Sequence, residues 1–389
     1  MKQFPLLFVS DNPSGFGGLA RIGRDLAALA ATMPEFRVGY AGRGPGMRRK
    51  LPFTLYPFGE EQGFGEGVLE EIWRDFSPEG EGAIFTLDDA SRRLWMGAPS
   101  EPRHKWLRRE ERKFGLWGYF PVDATGPLTT LPAEAMFTIG GYDRVLAASE
   151  WGFTLLPGHR DKDWLPHGIW PEQFHLRPGA RELLGWEAQE VRIGCVMANQ
   201  GRKDWAVAFE AVHRVKKEFP GRVKFWAHTD RMLGYWNLRA LAFDYELGGE
   251  LEVTTLLSDE QLALRYSACD VTMLPSAGEG FGLPIAESLA CGTSCVVTDY
   301  AAGQELVDRE ARVLPEAFRV DTSHNVKRAV LGAGRFAQVL AEQVRRRRED
   351  PAGRSAYLAG TVEHLRWENL RRPWERWLRR GVGGGGRER

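Results

Sequence analysis

Short apolar runs alternate with stretches of helical periodicity along most of this chain. Leu6 to Ser10 reads as a buried strand, Asp11-Asn12-Pro13-Ser14-Gly15-Phe16-Gly17-Gly18 as a loop, and Leu19 to Met33 as a helix. Further strands are expected at Phe36 to Ala41, Ala83 to Leu87, Leu116 to Phe120 and Val145 to Ala148. Beyond residue 170 the alternation resumes, with strands at Val191 to Met197, Val223 to Ala227, Leu251 to Leu257, Val271 to Leu274 and Cys295 to Thr298. Helices fall between them, for example Trp205 to Phe219 and Asp259 to Ala268. Repeated strand–helix units imply parallel sheets covered on both faces. The expected class is therefore α/β, with two Rossmann-like doubly wound domains facing a central cleft and ligands beyond the carboxyl ends of the strands.

The most informative stretch is Ser276-Ala277-Gly278-Glu279-Gly280-Phe281-Gly282-Leu283-Pro284-Ile285-Ala286-Glu287. It reads as a strand that ends in a glycine-rich loop and feeds a helix near Pro284, since proline suits the first helical position. Free backbone N–H groups and the positive end of the helix dipole make such a turn ready for a phosphate. Two carboxylates bracket it, and beside a phosphate they need donors such as sugar hydroxyls. The bland alternative is a strand–turn–helix with a solvated Glu at each end.

Glu279-Gly280-Phe281-Gly282-Leu283-Pro284, followed by Glu287-Ser288-Leu289-Ala290-Cys291-Gly292, resembles the donor-site signature of the family-4 retaining glycosyltransferases, which have the GT-B architecture. One departure follows it: the family usually has Pro where this chain has Thr293. Leu165-Pro166-His167-Gly168-Ile169, with Glu172, Phe174 and Pro178 after it, resembles the family's interdomain connection. The likeness is weak between Gly42 and Gly82 and strong from Pro166 to Val307.

Composition narrows the picture. A chain of 389 residues is long enough for two domains. Its formal net charge of zero gives no global case for nucleic acid or an acidic membrane. Cys195, Cys269, Cys291 and Cys295 form no paired metal motif and read as buried thiols. The apolar run Phe4 to Val9 is too short for a signal peptide, and no run approaches a membrane span, so a reducing, cytoplasmic setting is expected. From Arg335 onward, fourteen basic residues face seven acidic ones, including Arg345 to Arg348, Arg371-Arg372 and Arg379-Arg380. A basic face docking on an acidic remainder is the favoured reading of this region. The sharper alternative is a patch for an anionic acceptor such as nucleic acid or lipid head groups. Trp367-Glu368 resembles the family's last helix, which crosses back to the first domain, and Gly383 to Arg389 is expected to be disordered.

Further constellations complete the candidate site. Asn199-Gln200-Gly201-Arg202-Lys203 places cations at a strand's carboxyl end. Lys203 matches the family's diphosphate-binding Lys, while the family's Arg lies further upstream, so Arg202 is the substitute. Gly17-Gly18 with Arg21 resembles the family's first glycine loop, and its spacing fits neither a dinucleotide fingerprint nor a P-loop. Asp123 ends a strand in Trp117-Gly118-Tyr119-Phe120-Pro121-Val122-Asp123. Asp88 and Asp89 are weaker candidates, and His104, beside Lys105 and Arg108, reads as a surface residue.

The resemblance implies a nucleotide-sugar-dependent glycosyltransferase that retains anomeric configuration and needs no obligatory metal. It assigns residues 1–168 to an acceptor domain, 169–365 to a donor domain and 366–389 to the returning helix. Glu279, Asp123 and Lys203 are the expected catalytic residues. Gly17, Gly18, Asn199, Arg202, Lys203, Glu279, Gly280, Phe281, Gly282, Leu283 and Glu287 are expected to bind a UDP- or GDP-linked sugar. The departing phosphate itself would help deprotonate the acceptor. Two rivals stand beside this: a non-catalytic nucleotide-sugar-binding or interaction protein, and a glycoside hydrolase using Glu279 and Glu287.

Overall fold

The computed structural model describes residues 2–15, 17–46, 50–159, 161–321 and 324–383. Phe16 of the first glycine loop and most of the expected disordered end, 384–389, lie outside the described residues. The chain up to His167 and again from Asn369 makes one compact unit; Gly168 to Glu368, apart from 323–325, makes the other.

The first unit holds seven strands: β1 (Phe4–Asp11), β2 (Phe36–Arg43), β3 (Thr54–Phe58), β4 (Gly82–Leu87), β5 (Phe114–Phe120), β6 (Arg144–Ala147) and β7 (Lys162–Trp164). They pair in parallel in the order β3-β2-β1-β4-β5-β6-β7. The strand order reverses at β1, which lies between β2 and β4, the doubly wound pattern whose ligand crevice opens beyond the strand ends at that point. β1 is buried from Pro5 to Ser10 and β4 along its whole length, so their apolar runs are continuous and not alternating. β3 and β7 are edge strands with partly exposed, polar or Pro-containing sequences, Thr-Leu-Tyr-Pro-Phe and Lys-Asp-Trp, and carry no apolar run to mark them.

The helix Trp367–Gly383 belongs to this first unit from Asn369 onward. Its Trp374 and Trp377 are buried, edge-on to Tyr119 (5.1 Å) and Trp117 (5.6 Å) respectively. The Arg144 guanidinium lies 3.9 Å over the Trp377 ring and pairs with Asp161 at 2.5 Å. Removing that helix would strip large aromatic surfaces from the first sheet's cover.

The second unit holds β8 (Val191–Val196), β9 (Val223–His228), β10 (Leu251–Thr254), β11 (Val271–Leu274), β12 (Cys295–Thr298) and β13 (Arg312–Val313), parallel in the order β10-β9-β8-β11-β12-β13. Its reversal falls at β8, between β9 and β11. The strand expected to reach Leu257 stops at Thr254, and Leu256 turns the chain with a φ of 53°. An antiparallel hairpin, β14 (Ala317–Asp321) and β15 (Val326–Val330), follows. β14 is largely exposed, so no buried face announces it in the sequence. The four cysteines are buried free thiols. Among the described residues no helix is long and apolar enough to cross a membrane.

Candidate functional site

The second unit's candidates gather at the carboxyl edge of its sheet, on the loops that leave β8 and β11 at the reversal point. These loops are knitted together by backbone: Ala277 N–H donates to Arg202 O (2.8 Å), Asp204 N–H to Pro275 O (2.9 Å), and Lys203 bridges to Ser276. The knitting brings two cations onto a carboxylate 76 residues away in sequence. The Lys203 ammonium pairs with Glu279 Oε1, and Arg202 Nη1 reaches the same oxygen at 3.0 Å. Burial alone would push the Glu279 carboxyl up; the charges of Lys203 and Arg202 outweigh it and hold it at about 2. The donors that the sequence requires beside Glu279 are chiefly these two cations, with the Ser276 hydroxyl beside them.

Gly282 precedes the helix Leu283–Ala290 with a φ of 96°, a left-handed conformation that favours glycine, and a Cβ there would lie 2.6 Å from Ile285 Cδ1. Pro284 sits in the first turn, no side chain caps the N-terminus, and no acidic residue occupies that turn. The helix therefore presents its positive end without an internal anion. Glu287, on the second turn, is 3% exposed, and its Oε2 accepts from the Tyr266 hydroxyl at 3.1 Å. Phe281 is buried beside the turn.

Asn199 occupies the same edge, yet its amide serves the protein. Nδ2 donates to Arg231 O (3.1 Å) and Trp236 O (2.8 Å), and Oδ1 accepts from Trp236 N–H (2.8 Å). Its backbone N–H donates to Asp230 Oδ1 at 2.7 Å. It fastens the segment 230–237 to the end of β8. At the neighbouring strand end, burial lowers His228 to about 4, so the imidazole is neutral, with Nδ1 3.0 Å from Thr254 Oγ1.

In the first unit, Gly17 and Gly18 stand at the start of the helix Gly18–Ala31, which also has no side-chain cap and no acid in its first turn. Asp123 lies three residues past β5 and is half-buried. Asp88 is not an open edge residue: it is buried, with Oδ2 3.0 Å from the fully buried Arg93 and Oδ1 3.3 Å from Arg92. The sequence reading missed Asp11, at the carboxyl end of β1 on the reversal point. Burial, and then the charge of Asp88, push its carboxyl up against the opposing pull of Arg43 at 3.3 Å. Its position as the last residue of the first strand was the available signal.

His104 is a correction. It is 3% exposed, packs on Trp95 (5.4 Å between ring centroids), and has Nε2 3.1 Å from Glu66 Oε1. Among the described residues Glu66, Glu101 and His104 form a cluster whose chemistry suits a metal, but Arg103 bridges both carboxylates at 2.8 and 2.7 Å and already supplies the cation. A cavity of about 570 Å³ in the same unit is lined in part by Arg108, Arg109 and Arg112, near the amino ends of β5 and β6. Those arginines are engaged with backbone carbonyls, and Arg109 and Arg112 also pair with Asp143.

The basic region near the carboxyl end is also largely engaged within the protein. Arg345 pairs with Glu218, Arg346 with Glu310 and Glu342, and Arg348 with Asp270; Arg347 donates to Gly292 O and Pro351 O. Arg379 pairs with Glu35 (2.6 Å) and Arg380 with Asp163 (3.0 Å). These partners account for the charge run by internal docking and leave the anionic-acceptor reading without support.

Residues 190–347 match the family described as Glycosyl transferases group 1. A D-inositol 3-phosphate glycosyltransferase of Pseudarthrobacter chlorophenolicus is 29% identical over 145 residues, 37% of this chain and 31% of that one. An MMP alpha-(1->4)-mannosyltransferase of Mycolicibacterium hassiacum is 34% identical over 199 residues, 49% of this chain and 48% of that one. The chain thus spans less than half the length of these curated relatives. Among solved structures, sucrose-phosphate synthase from Thermosynechococcus elongatus superposes with a TM-score of 0.74 at 17% identity, covering 98% of this chain and all of that one. Anabaena HepE, in complex with UDP and glucose, gives 0.69 at 14% identity over 98% of this chain and all of that one. Residues 190–347 accordingly match the Glycosyl transferases group 1 family, within a chain that has the two-sheet GT-B fold.

Proposed function

We propose that this protein transfers a sugar from a nucleotide-diphosphate sugar to an acceptor, with retention of anomeric configuration, as a family-4 enzyme. The observation that carries the reading is the convergence of Lys203, Arg202 and the uncapped helix start at Gly282–Leu283 on one strand-edge loop pair. Two cations and free N–H groups concentrate positive charge where a diphosphate leaving group gains negative charge, the interaction that most accelerates such a departure. UDP or GDP would be the leaving group. Lys203 and Arg202 take its phosphates, Gly280, Phe281, Gly282 and Leu283 line them, and Glu287 accepts the ribose hydroxyls.

Glu279, released from its cations as the phosphates arrive, turns to the donor's sugar ring. The departing phosphate takes the acceptor's proton, so no protein nucleophile and no obligatory metal is called for. The first unit, with Asp123 at its strand edge, takes the acceptor. A cytoplasmic setting fits the four buried thiols.

A glycoside hydrolase would need one carboxyl held protonated near neutral pH as general acid. Glu279, held at about 2, is not that acid, so a hydrolase would have to place the role on Glu287. The test is a thermal-shift panel of UDP- and GDP-sugars followed by turnover of those that stabilise; a ligand at about a hundred times its Kd adds roughly 2.7 kcal/mol. Glu279→Gln should then bind free nucleotide at least as tightly as the parent, because the diphosphate no longer competes with a carboxylate for Lys203 and Arg202. It should lose turnover, because a contact at the reacting sugar appears in the rate. Binding with no turnover by the parent, even to water, would favour the non-catalytic reading. Hydrolysis of aryl glycosides without nucleotide would overturn the proposal.

A further inference from the structure

Glu287 does not stand alone in its pocket. The Tyr266 hydroxyl that donates to its Oε2 belongs to a fully buried side chain on the helix Asp259–Ala268. Burial, reinforced by the Glu287 charge, raises that phenol well above its ordinary value, so it remains a donor at any working pH. Two further contacts fix Tyr266 itself. Its ring sits edge-on to Trp226 at 5.8 Å, and the Trp226 indole N–H is held by Thr254 Oγ1 at 2.8 Å. Its carbonyl accepts from Thr293 Oγ1 at 2.7 Å.

Thr293 is the position where this chain departs from the signature's usual Pro. Its side chain is fully buried, and its backbone N–H donates at 2.9 Å to the carbonyl of Ser288, the residue next to Glu287. A proline has neither of these donors. The departure thus ties the strand entry to both the helix that carries Glu287 and the helix that carries Tyr266.

We propose that Tyr266, anchored by Thr293, is a positioning residue that fixes the Glu287 carboxylate for the ribose hydroxyls of the nucleotide. This rests on the assignment of Glu287 to the ribose. A glutamate has several rotatable bonds, and ordering it during folding removes that cost from the binding step. Without the phenol, Glu287 loses one of the contacts that order it, and part of that ordering falls on the binding step, so every ligand carrying the ribose loses affinity. Contacts at the reacting sugar are untouched, so the loss belongs in KM and not in kcat.

Calorimetric titration of the full chain with UDP, GDP and ADP, together with donor kinetics, tests this in Tyr266→Phe, Glu287→Gln, the double variant, Thr293→Val and Thr293→Ser. Tyr266→Phe should weaken the tightest of the three nucleotides by about threefold to tenfold, raise the donor KM alike and keep kcat, consistent with one hydrogen bond to a charged group acting indirectly. The double variant should bind no more than about twofold weaker than Glu287→Gln, since the phenol acts through that carboxylate. Thr293→Val should show a smaller loss that Thr293→Ser, keeping the hydroxyl, restores. If Tyr266→Phe lowers the melting temperature but leaves affinity unchanged while Glu287→Gln weakens binding, the positioning role is wrong and the ribose assignment survives. Unchanged affinity in Glu287→Gln, or no binding of any of the three nucleotides, overturns the ribose assignment and the positioning role with it.

Discussion

Lys203 and Glu279 form a buried ion pair between the loops that leave β8 and β11, with side chains only 8% and 12% exposed. Arg202, 29% exposed, shares the same carboxylate oxygen. Two cations against one carboxylate leave a net positive charge in a poorly hydrated corner, and charge there interacts far more strongly than on the open surface. On the proposed reading, an arriving diphosphate would meet cations that are already placed and would compete with Glu279 for them. The same exchange would free Glu279 to contact a sugar, coupling donor binding to the repositioning of this carboxylate.

Lys203→Ala should lower kcat/KM for the cognate donor by about ten- to a hundredfold, the range of a lost charge-assisted contact worth roughly 1.5–3 kcal/mol. The loss should exceed the loss in affinity for free nucleotide, because leaving-group charge grows toward the transition state. Steady-state kinetics beside nucleotide titration measure both. Normal turnover would remove this loop from the phosphate site.

Acid should weaken the second unit through Glu279. Its folded value of about 2 lies below the ordinary 4.5, so the stabilisation is complete above pH 4.5 and is lost as pH falls toward 2. The shift corresponds to at most about 3 kcal/mol. Urea midpoints from pH 6 to pH 2.5 should show parent and Glu279→Gln converging over that window, while a constant gap would mean that Glu279 does not titrate there.

The strands buried on both faces, such as Ala83 to Leu87 and Val271 to Leu274, were legible as continuous apolar runs, and the turn at Gly282 as glycine before Pro284. The edge strands β3, β7 and β13 and the hairpin β14–β15 were not, because partly exposed or very short strands need no such run. Local sequence also marks which residues carry charge but not which charges meet. Lys203 and Glu279 are joined by backbone bonds between loops, and the arginines from Arg345 to Arg348 by partners as distant as Glu218. His104 looked exposed beside Lys105 and Arg108, yet its ring is turned against Trp95, which only the tertiary packing could reveal.

The helix Trp367–Gly383 should be needed for the first unit's stability. Trp377→Ala removes a fully buried indole that packs on Trp117, Phe85 and Arg144, and such truncations cost about 3–5 kcal/mol. Chemical unfolding followed by tryptophan fluorescence measures it. Because Arg379 and Arg380 are paired with Glu35 and Asp163, the intact protein should also show little retention on DNA or anionic vesicles at 150 mM salt. Strong, steeply salt-dependent retention would revive the anionic-acceptor reading.

Asn199 separates a scaffold role from direct donor contact. The residue is buried, and its amide makes three hydrogen bonds to Arg231 and Trp236. Asn199→Ala leaves those backbone groups to find water or stay unpaired, at roughly 1–3 kcal/mol for any that stay buried. The cost should be local, since Leu233 and Tyr235 of the same segment are already exposed and little apolar surface holds the loop down. Hydrogen exchange over Arg231–Asn237 should therefore accelerate by about tenfold or more, with a modest fall in melting temperature. The Tyr235 ring packs so closely on Gly201 that a Cβ there would lie 2.9 Å from it, so loosening the segment also uncovers the approach to Arg202 and Lys203. Nucleotide affinity should drop only slightly, within about threefold, as an indirect effect. A large loss of affinity with exchange unchanged would mean that the Asn199 side chain leaves these partners to bind the donor itself.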